Sequence, residues 1–247
     1  MGQGLAFRLL AWSAWTPDRP LAEDWNDWVS DCRADGGSDV RFLPPGQFPA
    51  MLRRRASPVG RNALFAASAM PDLEQARVVL TVRHGELART VDIIDALISG
   101  EELSPTEFSM SIHHGLTGLL SIATKNMRGH TAISAGPESF CYGLLEAAAC
   151  LAEQPDQPVV LLHYDEGLSG GLEDLPAAAE CAPMTIVALN LTRPDAADGE
   201  RLEVRCTSRQ EPGPAPNHAM DFLRFVAAGQ STTLSPGRRM DWEWVRA

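Results

Sequence analysis

Thr131–Gly136, TAISAG, places a hydroxyl where many enzymes place a nucleophile. His130–Ile133 reads as a strand end, Ser134–Pro137 is small and bends, and Glu138–Leu151 reads as a helix. Phe140, Leu144, Leu145, Ala148 and Leu151 share one face of that helix. A strand turning sharply into a helix lifts one side chain to the mouth of a sheet and aims backbone N–H groups and the positive helix end at it. With Ser134 there, the chemistry is acyl transfer. Ala-x-Ser-x-Gly is a variant of the hydrolase elbow, Asp165 or Asp195 and His218 complete the order Ser…Asp…His, and His114-Gly115 stands as an oxyanion loop. With Ile133 there, the elbow has no nucleophile.

Other reactive residues are scattered. The five cysteines, Cys32, Cys141, Cys150, Cys181 and Cys206, contain no CxxC pair. Cys141 and Cys150 are too far apart for a metal knuckle, so no metal or cofactor is expected. His113 and His114 are neighbours on a helix, whose side chains diverge and make no joint site. His163 alternates into an apolar strand as a core histidine, and His84 stands at a strand's carboxyl end, where α/β proteins place ligands. Arg53-Arg54-Arg55 reads as a solvated helix end or an anion contact.

The elements that must position these residues follow from periodicity. Leu5–Trp12 is a strand and Ala22–Cys32 an amphipathic helix; Asp35–Asp39 is a loop. A helix over Asn62–Met70, a strand over Ala76–Val82 and a helix over Thr90–Ile98 give an α/β alternation with parallel strands. Ser104 caps a helix with Pro105 at N1 and Glu107 at N3. Leu116–Thr124 is a short apolar helix and Pro158–Tyr164 a buried strand. Gly167–Glu180 and Gln210–Asn217 are irregular. Met184–Leu191 and Leu202–Thr207 are strands joined through Arg193–Gly199, Ala219–Ala228 is a helix, and Trp242–Val245 is an apolar tag.

The chain has 247 residues, enough for one domain spanning 1–247 with a real core, and a net charge of -11 that argues against nucleic acid or anionic membrane as partner. No run approaches a membrane span. Arg8 interrupts the first apolar run, and Ala6 stands where N-myristoylation needs Ser or Thr. A cytoplasmic protein with reduced thiols is expected.

Taken together, SPTEFSMSIHHGLTGLLSI over Ser104–Ile122, GHTAISAGPESFCYGLLEA and VVLLHYDE resemble the amino-terminal half of a β-ketoacyl synthase. The resemblance runs from about Leu5 to Asp165. It implies an α/β, thiolase-like fold, a mixed sheet with covering helices. Laid on the family pattern, His114 takes the place of its asparagine and Gly118 of its glycine. Thr131 and Ala132 match, and Ile133 replaces the catalytic cysteine. An isoleucine cannot form the acyl-thioester. Cys141 lies two helical turns further on, and the family's two catalytic histidines belong to a second half that this chain is expected to lack. The opening LAWSAWTPDRPLAEDWNDW, with RHGEL, LSPTEFS and HYDE, looks like the single-half, chain-length-factor-like proteins of aryl polyene clusters. That resemblance implies a hetero- or homo-oligomeric subunit, pairing with an active ketosynthase that elongates acyl chains on an acyl carrier protein. Glu107, Phe108, Ser111, Ile112 and His114 would line or cap the partner's acyl tunnel; plain core packing is the other reading of Phe108 and Ile112.

Overall fold

The apolar run of Val159–Asp165 is the buried centre of a nine-stranded sheet in the computed structural model, which describes residues 4–32, 41–168, 171–172, 174–175, 183–209, 211 and 217–246. In chain order the strands are β1 (Leu5–Trp15), β2 (Arg41–Phe42), β3 (Arg77–Thr81), β4 (His130–Ile133), β5 (Val159–Asp165), β6 (Thr185–Thr192), β7 (Glu200–Ser208), β8 (Thr232–Pro236) and β9 (Met240–Arg246). The helices are α1 (Ala22–Cys32), α2 (Ala50–Arg53), α3 (Pro58–Ser68), α4 (Leu87–Ser99), α5 (Pro105–Ser111), α6 (His114–Thr124), α7 (Ser139–Glu153) and α8 (His218–Ala228).

The spatial order is β4-β3-β5-β6-β1-β7-β9-β8, with β2 beside β1. β3 pairs in parallel with β4 and β5, whereas β5–β6, β6–β1, β1–β7, β7–β9 and β9–β8 are antiparallel. Parallel pairing is therefore confined to β4-β3-β5 and the short β1–β2 contact, and the sheet is mixed. All seven β5 residues are buried, as a strand covered on both faces requires.

Strand alternation divides the core. Phe7, Leu9, Val79, Leu161 and Val187 face α7 and α8. Val78, Leu80, Val160, Leu162 and Tyr164 face α3 and α6. Helix α7 lies so close to β3 that a Cβ on Gly143 would stand 2.2 Å from Cγ2 of Thr81.

Several boundaries move for local reasons. Helix α3 begins four residues before Asn62, because Ser57 Oγ accepts from Gly60 N at 3.0 Å and Pro58 is suited to the first turn. Ser104 caps α5 through Glu107 N at 3.3 Å, as the spacing predicts. The apolar tag is instead strand β9, paired with β7 and with β8, which periodicity misses. The loop over Asp35–Asp39 lies outside the described residues, as do Cys181 and most of the two irregular stretches. Among the described residues, no helix is long and apolar enough to cross a membrane.

Candidate functional site

The elbow forms as the sequence predicts: β4 ends at Ile133 and α7 starts at Ser139. Gly136 takes a positive φ of 65° in the turn. Ile133 is half-buried and packs against the α7-side core. Its register partner Thr81 is in turn the partner of His163, so the three occupy one row on the same face. The turn's polar groups are largely used internally. Ala135 N donates to Ser139 Oγ at 2.9 Å, and Ser139 Oγ donates to Gly136 O at 2.7 Å.

Ser134 is exposed, and its hydroxyl donates to Arg83 O at 2.8 Å. No histidine accepts from it. His218 is buried at the start of α8, with Nδ1 2.8 Å from Ser235 Oγ. Ser235 gives its proton to Asp221 Oδ2 at 3.0 Å, so it accepts from His218 Nδ1–H. Asp195 follows β6, beyond the Leu191–Val159 pair at the amino end of β5, whereas Ser134 follows the carboxyl end of β4. Asp165 is buried at the end of β5 with Oδ1 lacking a hydrogen-bond partner, and burial pushes its carboxyl up to about 7. The Ser…Asp…His order is thus not assembled into a hydrogen-bonded triad.

His163 is a core histidine. Its Nδ1 lies 2.9 Å from Thr81 Oγ1, and burial, reinforced by His218, lowers its pKa to about 3. His113 and His114 diverge: the former lies against Gly85, the latter is 4.9 Å, centroid to centroid, from His130. Burial and then His114 hold His130 below the usual histidine value. His84 follows β3, and burial and then Arg83 lower its pKa too. Arg53 reaches across to the Phe65 ring, 5.8 Å from its centroid.

Two carboxylates that the sequence does not single out organise the surroundings. Glu138, fully buried ahead of α7, accepts from Arg239 N at 3.0 Å and Met240 N at 2.9 Å. Burial opposes its charge, but the Met240 and Arg239 N–H groups and the Arg239 guanidinium outweigh it and hold the carboxyl below its ordinary range. The β8–β9 turn is thereby tied to the elbow, and Gly237 leaves the room, since a Cβ there would meet Glu138 Oε1 at 2.4 Å. Glu86, buried before α4, accepts from Arg89 Nε at 3.1 Å and from Tyr164 OH at 3.3 Å. Arg89 also holds Glu107 and donates to Arg55 O at 2.7 Å. Glu138 shows no sequence signal beyond its place just before a helix, and Glu86 only its i,i+3 spacing to Arg89.

Glu107 therefore anchors α5 through Arg89. Phe108 is 61 % exposed and Ile112 50 %, which excludes plain packing within this chain. Ser111 Oγ donates to Phe108 O at 2.9 Å, and His114 is exposed. Of these, His114 stands against His130 of β4, a strand that is paired on one side only among the described residues. Among the described residues, no group of three or more His, Cys, Asp or Glu side chains could hold a metal.

No curated protein matches the sequence. The fold matches a solved complex of a ketosynthase with its chain length factor from Xenorhabdus doucetiae at 28% identity and a TM-score of 0.80, covering 98% of this chain and 100% of that one. The ishigamide ketosynthase/chain length factor matches at 14% identity and a TM-score of 0.61, covering 82% of this chain and 67% of that one. A type II polyketide synthase acyl-carrier protein in complex with its ketosynthase gives 14% and 0.60, with coverages of 83% and 69%. These last two likenesses establish the thiolase-like ketosynthase fold alone. The model of the β-ketoacyl synthase N-terminal domain matches residues 25–245, most of the sequence, and the chain belongs to that family.

Proposed function

We propose that this chain is a noncatalytic, single-domain ketosynthase-like subunit, a chain length factor, acting in the cytoplasm beside an active β-ketoacyl synthase in aryl polyene or polyketide chain elongation. The observation that carries the reading is Ile133 at the elbow. A branched alkyl group has no lone pair to attack a thioester and no proton to exchange, so a partner must supply the chemistry. The open edge of β4 supports pairing, because an uncovered strand edge beside exposed apolar side chains is the usual mark of an interface. The 28% identical complex, which unites a ketosynthase with its chain length factor, supports the choice of partner. Acyl carrier protein would then be engaged through the complex.

In this reading Phe108 and Ile112 cap the partner's acyl tunnel, with Glu107, Ser111 and His114 around them. Bulk at the closed end sets how long a chain fits, since overpacking a filled tunnel is unfavourable. The test is co-expression with the ketosynthase encoded beside it, with only that partner tagged, followed by light scattering of the purified complex. A stable hetero-oligomer is expected, and Phe108→Ala should lengthen its products. A chain that fails to co-purify and forms only a homo-oligomer overturns the proposal.

A further inference from the structure

On the α3 side of the sheet a cleft of about 420 Å³ opens between Trp15, Pro17, Val59 and Met184. Tyr164 belongs to this side and Ile133 to the other, so the cleft is separate from the elbow. Its charged groups are Glu86, Arg89 and Glu166. Glu86 is committed to Arg89 and Tyr164, and Arg89 to Glu86, Glu107 and Arg55 O. The Glu166 carboxylate has no hydrogen-bond or ion-pair partner among the described residues.

A partly buried carboxylate without a counter-ion, in a cleft with an indole and apolar walls, suits an organic ammonium. The charge meets the carboxylate, the aromatic face attracts the cation, and the hydrocarbon body covers the walls. Arg89 is already held by Glu86 and Glu107, so an anion would meet the uncompensated Glu166 charge, and a neutral apolar ligand would bury Glu166 without compensation. We propose that this cleft binds a small primary or methylated amine, with Glu166 as counter-ion and Trp15 as aromatic wall. The site does not depend on the ketosynthase partnership.

The test is titration of the full chain with hexylammonium and with its neutral isostere 1-hexanol, followed by NMR. Saturable ammonium binding is expected, about tenfold or more tighter than the alcohol, and Glu166→Gln should remove that preference. Burial, then Glu86, pushes the Glu166 carboxyl up to about 7, so ammonium affinity should rise about tenfold from pH 6 to pH 8 as the carboxylate ionises. Glu86 and Arg89 face Glu166 across the cleft, and Tyr164 stands behind Glu86. Asp165 also titrates near 7 but is the neighbouring residue of β5 and faces the α7 side. The pH rise must therefore vanish in Glu166→Gln. Equal affinity for amine and alcohol, or an ammonium preference that survives Glu166→Gln, overturns the proposal. Should that variant not fold, the pH dependence of the unaltered protein, with 1-hexanol as the blank, decides alone.

Discussion

At the β8 end of the sheet the chain covers itself: α8 buries eight of its eleven residues, and Trp242 and Trp244 of β9 are sealed beneath it and α7. By contrast α4, which packs on α5, buries none of its thirteen, and Ile98 and Met127 are 80 % and 92 % exposed. Both regions are rich in apolar side chains, so composition does not separate them. The difference lies in what covers them. One set of hydrophobic groups is removed from water by folding, and the other stays exposed in this chain.

The strongest way to break this comparison is to truncate one side chain at each end. Trp244 is 1 % exposed and edge-on to Phe222 at 5.5 Å, so Trp244→Ala should cost about 3–5 kcal/mol in urea unfolding. Ile98→Ser should change the stability of the isolated chain by less than about 0.5 kcal/mol. Similar losses from both would mean that the α4 surface is core, and the contrast would fail.

A second substitution sharpens the contrast from the open side, where a chain of charges replaces packing. Arg89 is 14 % exposed and links Glu86, Glu107 and the Arg55 carbonyl. Arg89→Ala leaves Glu86 buried with only Tyr164 OH as donor, and should cost about 3 kcal/mol. Amide exchange in α5 should accelerate with it. Glu107→Gln removes the exposed member alone and should cost less than about 1 kcal/mol. If the two variants are equally stable, Glu86 is solvated and α5 is held some other way.

What was legible in the sequence follows the same division. β5 could be read because a run such as VVLLHY excludes water on both faces, and α5 because Ser104, Pro105 and Glu107 occupy cap positions set by backbone geometry. The elbow is local too. β8 was not legible: Thr232 and Leu234 are exposed, and only Ser235 is buried, so its pairing depends on β9 rather than on its own pattern. Glu138 and Glu86 were invisible for a related reason. The Arg239 partner of Glu138 lies 101 residues away, and although Arg89 is three residues from Glu86, the Tyr164 that completes its site lies 78 away; no spacing rule reaches that far.

The buried histidine in the sealed region gives a third, smaller effect. His163 titrates at about 3 when folded, against an ordinary value near 6.5. Between those values the unfolded chain binds a proton that the folded chain does not, so this group's contribution to stability falls as pH falls. The loss should reach about 2 kcal/mol by pH 5. Asp165 and Glu166, both raised to about 7, act in the opposite direction over this range. The diagnostic is therefore the difference between two profiles: urea midpoints at pH 7 and pH 5 for the native chain and for His163→Gln. A His163→Gln profile as steep as the native one would place the acid sensitivity elsewhere.

The smallest expected effect is none at all. Ile133→Cys puts a thiol back at the elbow, on the face that also carries Thr81 and His163. A thiolate needs a base within reach, and the reaction needs donors aimed at the developing oxyanion. His163 is held neutral by burial with its Nδ1 against Thr81, and His218 has its Nδ1 on Ser235. The Ala135 N–H is already taken by Ser139. The variant alone should neither decarboxylate nor condense a malonyl thioester above background. Appreciable turnover would mean that His163 or His218 can leave its bond and serve the thiol. The elbow would then be a catalytic site lacking one atom group, rather than a scaffold whose surroundings have been rebuilt for packing.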